Sequence, residues 1–231
     1  MVRNLLVTCL GLTLLLPVVE PGAALQAQDV VLDEGRFALF IEGREAGSES
    51  FSIHRLGMGE SARILATATV AVDGLEMRPT LEARPDFIVT AYQNEVTGAR
   101  KGELSVVLNG NRYVSRVSSA DGEVQREYRA APRTAVLENR VSHHYFFVAR
   151  FIDSGTGPIV ALSPFDGGQA RLEVVSSESE PFQLGGESVD ARHVRLQGGG
   201  DMREIWIDDQ GRVLRVEIPA LGFRAERLPP G

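Results

Sequence analysis

The feature that most constrains this chain is a short stretch from Ser142 to Asp153, SHHYFFVARFID, helical in pattern and apolar nearly all round. Tyr145, Val148, Ala149 and Ile152 recur at helical spacing, Phe146, Phe147 and Phe151 cover the other side, and only Arg150 interrupts. The chain has ten phenylalanines, four tyrosines and one tryptophan, and four of these rings fall between positions 145 and 151. Ser142 is placed to accept the first free N–H groups as an N-cap, and Gly155 to end the helix in a left-handed turn. A helix apolar on every side has to be surrounded by protein. It is too short to span a bilayer, which takes about 20 apolar residues. Whatever the rest of the chain forms must therefore wrap around it.

The rest of the chain reads as strands. Phe37, Leu39 and Ile41 alternate with polar neighbours within Arg36–Glu42, and Phe51 and Ile53 alternate with Ser50, Ser52 and His54. Ile64 to Val72, Leu75 to Ala83, Phe87 to Val96 and Leu104 to Leu108 continue the pattern, followed by Tyr113–Val117 and Val124–Tyr128. Beyond the helix come Leu172–Val175, Val189–Leu196, Arg203–Ile207 and Val213–Ile218. Glycine, asparagine and aspartate mark the turns, as at Asn109-Gly110-Asn111 and at Asp208-Asp209-Gln210-Gly211, which places Trp206 near the last long strand. Pro79 lacks an N–H and predicts an edge strand or a bulge. About ten or eleven strands and one helix cannot form a flat sheet with both faces covered. The expectation is one all-β domain over residues 28–231: a strongly curved antiparallel sheet, half-barrel or barrel-like, around one central aromatic helix at about 142–153.

Residues 1–27 read as a secretory leader, with Arg3 in the n-region, an apolar run from Leu5 to Val19, and small residues at Gly22, Ala23, Ala24 and Ala27. That predicts a periplasmic or extracellular location. Cleavage there removes Cys9, the sole cysteine, and with it any disulfide or thiolate chemistry. Arg3 and Glu20 leave together, so the formal charge stays at −7. Every basic residue except Lys101 is an arginine, scattered through a net acidic chain, which offers no track for a nucleic-acid backbone. A membrane-embedded barrel is disfavoured by the charges along the strands, such as Arg192, Arg195, Arg203, Glu204, Arg215 and Glu217.

Few motifs carry chemistry. Asp153-Ser154-Gly155 is similar to the catalytic loop of aspartic proteases, which need two such aspartates and hence here a homodimer. Arg150 and Gly157 depart from that pattern, and the triplet also falls where the helix should end. His143 and His144 are adjacent, so on a helix they diverge by about 100° and chelate one metal poorly; a surface or capping role is expected. A metal site would need His54 or His193 and a carboxylate brought in by the fold. No nucleophile elbow, phosphate loop or dinucleotide fingerprint occurs, and neither a cofactor, a metal nor an enzymatic role is expected.

The layout of leader, curved sheet and buried helix resembles the lipoprotein carriers LolA and LolB, whose half-barrel cradles lipid under a helical lid. The SHHYFFVARF segment, the step at Pro164 and the closing REIWIDDQGRVLRVEIP hairpin also resemble a family of secreted bacterial proteins of unknown function. The carrier likeness implies an apolar ligand in the concavity and no catalysis. Together with the aromatic helix it predicts a protein that binds or carries a lipid or other apolar molecule through Tyr145, Phe146, Phe147, Phe151 and Phe165. The alternatives are a structural or assembly module with an envelope-protein partner, and the dimeric protease using Asp153.

Overall fold

Among the described residues, glycine-rich turns separate fifteen strands of a single sheet, more than the ten or eleven the alternation predicts. The computed structural model describes residues 29–230, so the expected leader lies outside the described residues. Strands β1 (Asp29–Ile41) and β2 (Arg44–Leu56) form a long first hairpin. A meander follows through β3 (Arg63–Val72), β4 (Leu75–Ala83), β5 (Val89–Gly98), β6 (Gly102–Asn109), β7 (Arg112–Ser119) and β8 (Gly122–Arg129). A short β9 (Thr134–Val136) precedes the helix α1 (Tyr145–Asp153). After it come β10 (Ile159–Ser163), β11 (Gly168–Leu184), β12 (Glu187–Gly198), β13 (Asp201–Asp208), β14 (Val213–Ile218) and β15 (Phe223–Arg227).

The spatial order is β8-β7-β6-β5-β4-β3-β2-β1-β15-β14-β13-β12-β11-β10-β9. Two meanders, one running from β1 out to β8 and one from β15 back to β9, join where β1 pairs antiparallel with β15, Leu39 opposite Ala225. Pairing is antiparallel throughout except between β9 and β10. The two outermost strands, β8 and β9, are consecutive in the chain and joined by residues 130–133, yet they do not pair with each other. The sheet is not closed. The Gln169 side chain, at the start of β11, donates to the Arg129 carbonyl at the end of β8 (3.0 Å), so the two ends of the curl come into contact there.

Alternation sends one set of side chains inward: Phe37 and Leu39 from β1, Phe51 and Ile53 from β2, Ile64, Ala66, Val70 and Val72 from β3, and Ile205, Ile207 and Val216 from the far half. These form one continuous core with the rings of α1. The helix therefore occupies the inside of the curl, as its apolar circumference requires. It has nine residues and is shorter than the 142–153 expectation. Pro79 sits in β4, an interior strand, which corrects the edge assignment. Without its N–H the β3–β4 ladder skips from Thr67↔Thr80 to Val70↔Met77, and the register on both sides is unchanged. Gly47 marks a close backbone approach: a Cβ there would lie 1.8 Å from the Ala71 carbonyl oxygen.

A buried ion pair fastens the junction of the two halves. The Arg227 guanidinium on β15 grips both oxygens of Asp33 on β1 (2.6 and 3.1 Å) and also donates to the Glu34 carbonyl. It lies over the Phe51 ring at 5.3 Å, with Phe37 stacked beside Phe51. A second, small apolar cluster of Phe182, Ala191, Trp206 and Leu214 lies apart from the main core. There His193 stacks on Trp206 at 4.1 Å, and Trp206 sits opposite Arg215 on β14 as the closing hairpin predicts.

Candidate functional site

The helix is held in place by a carboxyl group from the opposite wall. Glu49, in phase with Phe51 and Ile53 on β2, points into the core and is fully buried. Its oxygens accept the backbone N–H groups of Ser142 (2.7 Å) and His143 (2.9 Å), and His143 Nδ1 lies 2.5 Å from the second of them. This corrects the capping expectation: among the described residues the Ser142 hydroxyl makes no hydrogen bond, and Glu49 satisfies the free donors in its stead. The N–H groups of Tyr145, Phe146 and Phe147 bond three residues back, so a tight lead-in turn runs from Ser142 into α1. At the other end the helix stops at Asp153, Ser154 stays in the right-handed region and Gly155 takes φ +149, so the left-handed cap expected at Gly155 does not form. Arg133 caps that end, donating to the carbonyls of Phe151 (2.5 Å) and Gly157 (2.7 Å), and burial lowers its pKa.

His143 and His144 are both buried, which corrects the expectation of surface residues. His143 stacks on Phe51 at 5.8 Å, touches the His144 ring at 4.5 Å, and His144 in turn meets the edge of Tyr92 at 5.1 Å. Burial, with His143 beside it, holds the His144 pKa well below the usual imidazole range, so this ring is neutral. Burial, reinforced by Glu138 and Glu49, pushes the Tyr92 phenol well above its ordinary pKa. Among the described residues, Tyr92 Oη, Asn94 Oδ1, Ser142 Oγ, His143 Nε2 and both ring nitrogens of His144 find no hydrogen-bond partner. The Glu49–His143 contact has the geometry of a base and its orienting group. Both side chains have zero exposure, however, and neither lines a described cleft.

This polar seam runs outward to a cleft of about 470 Å³ between the ends of β4 and β5 and the loops around residues 138–140 and 165–166. Its apolar wall is Leu75, the cross-strand pair Met77–Val96, and Phe165. Its inner polar end is Asn94 and Glu138, both nearly fully buried. Glu138 Oε1 accepts the Phe165 N–H at 3.1 Å. Burial, opposed by that hydrogen bond and aided by nearby Asp166, pushes the Glu138 carboxyl up to about 8, so it keeps its proton at neutral pH.

The structure separates the five ring residues named from the sequence. Tyr145, Phe146, Phe147 and Phe151 are core, with Phe87 edge-on to both Phe146 and Phe147. Only Phe165 of the five lines the cleft. Asp153 ends the helix and pairs with Arg192. His54 bonds Asp29 and His193 bonds Glu204, away from the His143–His144 pair. Among the described residues no three His, Asp or Glu side chains gather to hold a metal, and no helix is long and apolar enough to cross a membrane.

Glu49 and Asn94 are absent from the sequence-based site, although each carried a signal. Both fall on the inward phase of a strand, Glu49 with Phe51 and Asn94 with Tyr92 and Val96, where a polar side chain must find a partner.

No family model matches this chain, and no curated protein matches it. Among solved structures it is similar to the crystal structure of a beta-barrel-like protein of domain of unknown function DUF1849 from Brucella abortus. The TM-score is 0.49 at 8% identity, over 84% of this chain and 94% of that one.

Proposed function

We propose that the protein binds or carries a small apolar or amphipathic molecule, without catalysis, outside the inner membrane, and that it does so in the cleft beside Phe165 instead of along α1. One observation carries this reading: core side chains of the curled sheet, Met77 and Val96, open onto a cleft whose inner end is the protonated Glu138. An apolar wall with a few convergent polar groups and a volume of this size is the usual make-up of a small-molecule site. The likeness to lipid carriers supports the ligand class by layout alone.

The test is native mass spectrometry of the secreted protein purified without detergent, paired with titration of an environment-sensitive lipid probe. Bound small molecules, or a probe response that weakens several-fold in Phe165→Ala, support the reading. An empty protein that leaves the probe unchanged refutes it and favours the envelope module, for which crosslinking to envelope proteins is the next measurement. The protease alternative is checked by an acid-optimum peptidase assay with Asp153→Asn. Equal activity in both proteins, or none, removes it.

A further inference from the structure

The polar end of the cleft specifies a head group, an inference that rests on the binding reading above. Five charged or ionisable side chains line the cleft apart from Arg44 outside it, and they are not equivalent. Asp73 is already paired with Arg44 at 2.9 Å. Asp166 accepts the Asn139 amide at 2.7 Å. Glu138 is neutral at pH 7 and offers a carboxylic O–H. Arg100 and Arg140 also line the cleft, and among the described residues neither makes an ion pair. With Glu138 uncharged and Asp73 matched by Arg44, the cleft holds one net positive charge.

The backbone supports the same conclusion. Arg140 has φ +70, a left-handed conformation that a non-glycine residue seldom adopts, and it follows directly on Glu138 and Asn139. The Val141 N–H bonding back to the Glu138 carbonyl (3.3 Å) closes that turn, which fixes the Arg140 backbone at the cleft wall. Asn94, nearly fully buried with its acceptor Oδ1 unpartnered, completes the inner end. The unpaired charges there are thus two guanidiniums against the single Asp166 carboxylate, with the Glu138 acid O–H at the inner end, opposite an apolar wall. Guanidinium groups recognise oxyanions through paired N–H donors.

We propose that the occupant is an amphiphile with one anionic oxygen head, a carboxylate or a phosphate ester, held by Arg100 and Arg140 against the Glu138 carboxyl while its chain lies along Met77, Val96 and Phe165. The head excludes a quaternary amine or a second cation, which would meet two unpaired arginines. A hydrocarbon or alcohol of equal length would keep the chain contacts and lose the head.

The experiment uses the whole secreted protein at pH 7. Dodecanoate, dodecyl phosphate and dodecanol compete against an environment-sensitive lipid probe, with the wild type and with Arg140→Gln, Arg100→Gln and the double variant. The expected result is at least a tenfold preference for one or both anions over dodecanol, reduced about tenfold in the variants while dodecanol affinity and the melting temperature stay put. The better of the two anions names the head. Equal affinity for dodecanol and both anions overturns the head-group inference and leaves apolar binding standing, as does an anion preference that survives in the double variant. Failure of all three to compete removes both readings together.

Discussion

Replacing Glu138 by glutamine should stabilise the protein, and by an amount that grows with pH. In the unfolded chain this carboxyl ionises at its ordinary value of 4.5, whereas burial in the folded state raises it to about 8. Below pH 4.5 both states are protonated and Glu138 behaves like glutamine. Between the two values the folded state holds a proton that the unfolded state has released, so stability falls as pH rises and levels off above 8. At about 1.4 kcal/mol for each pH unit over which that proton is retained, the penalty reaches about 3 kcal/mol at pH 7. Glutamine keeps the acceptor for the Phe165 N–H (3.1 Å in the wild type) and cannot ionise. Urea unfolding of wild type and Glu138→Gln from pH 4.5 to 8.5 measures the difference directly. Two curves should start together at the acid end and diverge by about 3 kcal/mol at neutrality. Parallel curves, or a variant less stable at pH 7, would mean that the carboxyl is already ionised or solvated, and the neutral head-group donor would be lost with it.

The other expectations concern what holds the helix and the sheet. Glu49→Ala leaves two backbone N–H groups and the His143 ring without their acceptor, so denaturant unfolding should show a loss of about 3–5 kcal/mol, with Glu49→Gln losing less. Phe147→Ala should cost about 3–5 kcal/mol and leave probe affinity of the folded protein unchanged, the reverse of Phe165→Ala; a selective loss of affinity in Phe147→Ala would return the ligand to the helix. A double-mutant cycle on Asp33→Ala and Arg227→Met should return a coupling above about 1 kcal/mol, read from unfolding midpoints, because the pair is buried and bidentate. Gly47→Ala meets the Ala71 carbonyl oxygen at 1.8 Å and should prevent soluble expression; a folded variant of normal stability would contradict the close approach.

The class of fold was legible because two periodicities do not mix: rings crowded at helical spacing in Tyr145–Phe151, and alternation almost everywhere else. The number of strands was not. Strand β11 carries Ser176 to Glu180 with little apolar alternation, since much of it is exposed, and β9 is three residues long. The central strand β15 is two apolar positions, Phe223 and Ala225, between polar ones, too brief to stand out. Of the five rings read from the sequence, Phe165 lines the cleft, whereas the other four lie in the core with the helix. Aromatic density reports the need to be buried and does not say whether protein or ligand does the burying. Glu49, Asn94 and Glu138 stayed hidden for the opposite reason. Each looks like ordinary strand or loop polarity until the curl brings Glu49 opposite residue 143, 94 positions away along the chain.

The pairing of β1 with β15 also sets an order of events. Apart from β9 and β10, which run parallel across the connection that carries the helix, every other strand pair is a hairpin of neighbouring strands, so each half can assemble locally as the chain emerges. Strand β1 must wait, with one flank open and Asp33 lacking its guanidinium, until Phe223–Arg227 has been made. A ribosome that stalls before that point releases two unsealed half-shells exposing a bare strand edge, the form of the chain most prone to stick to its own kind.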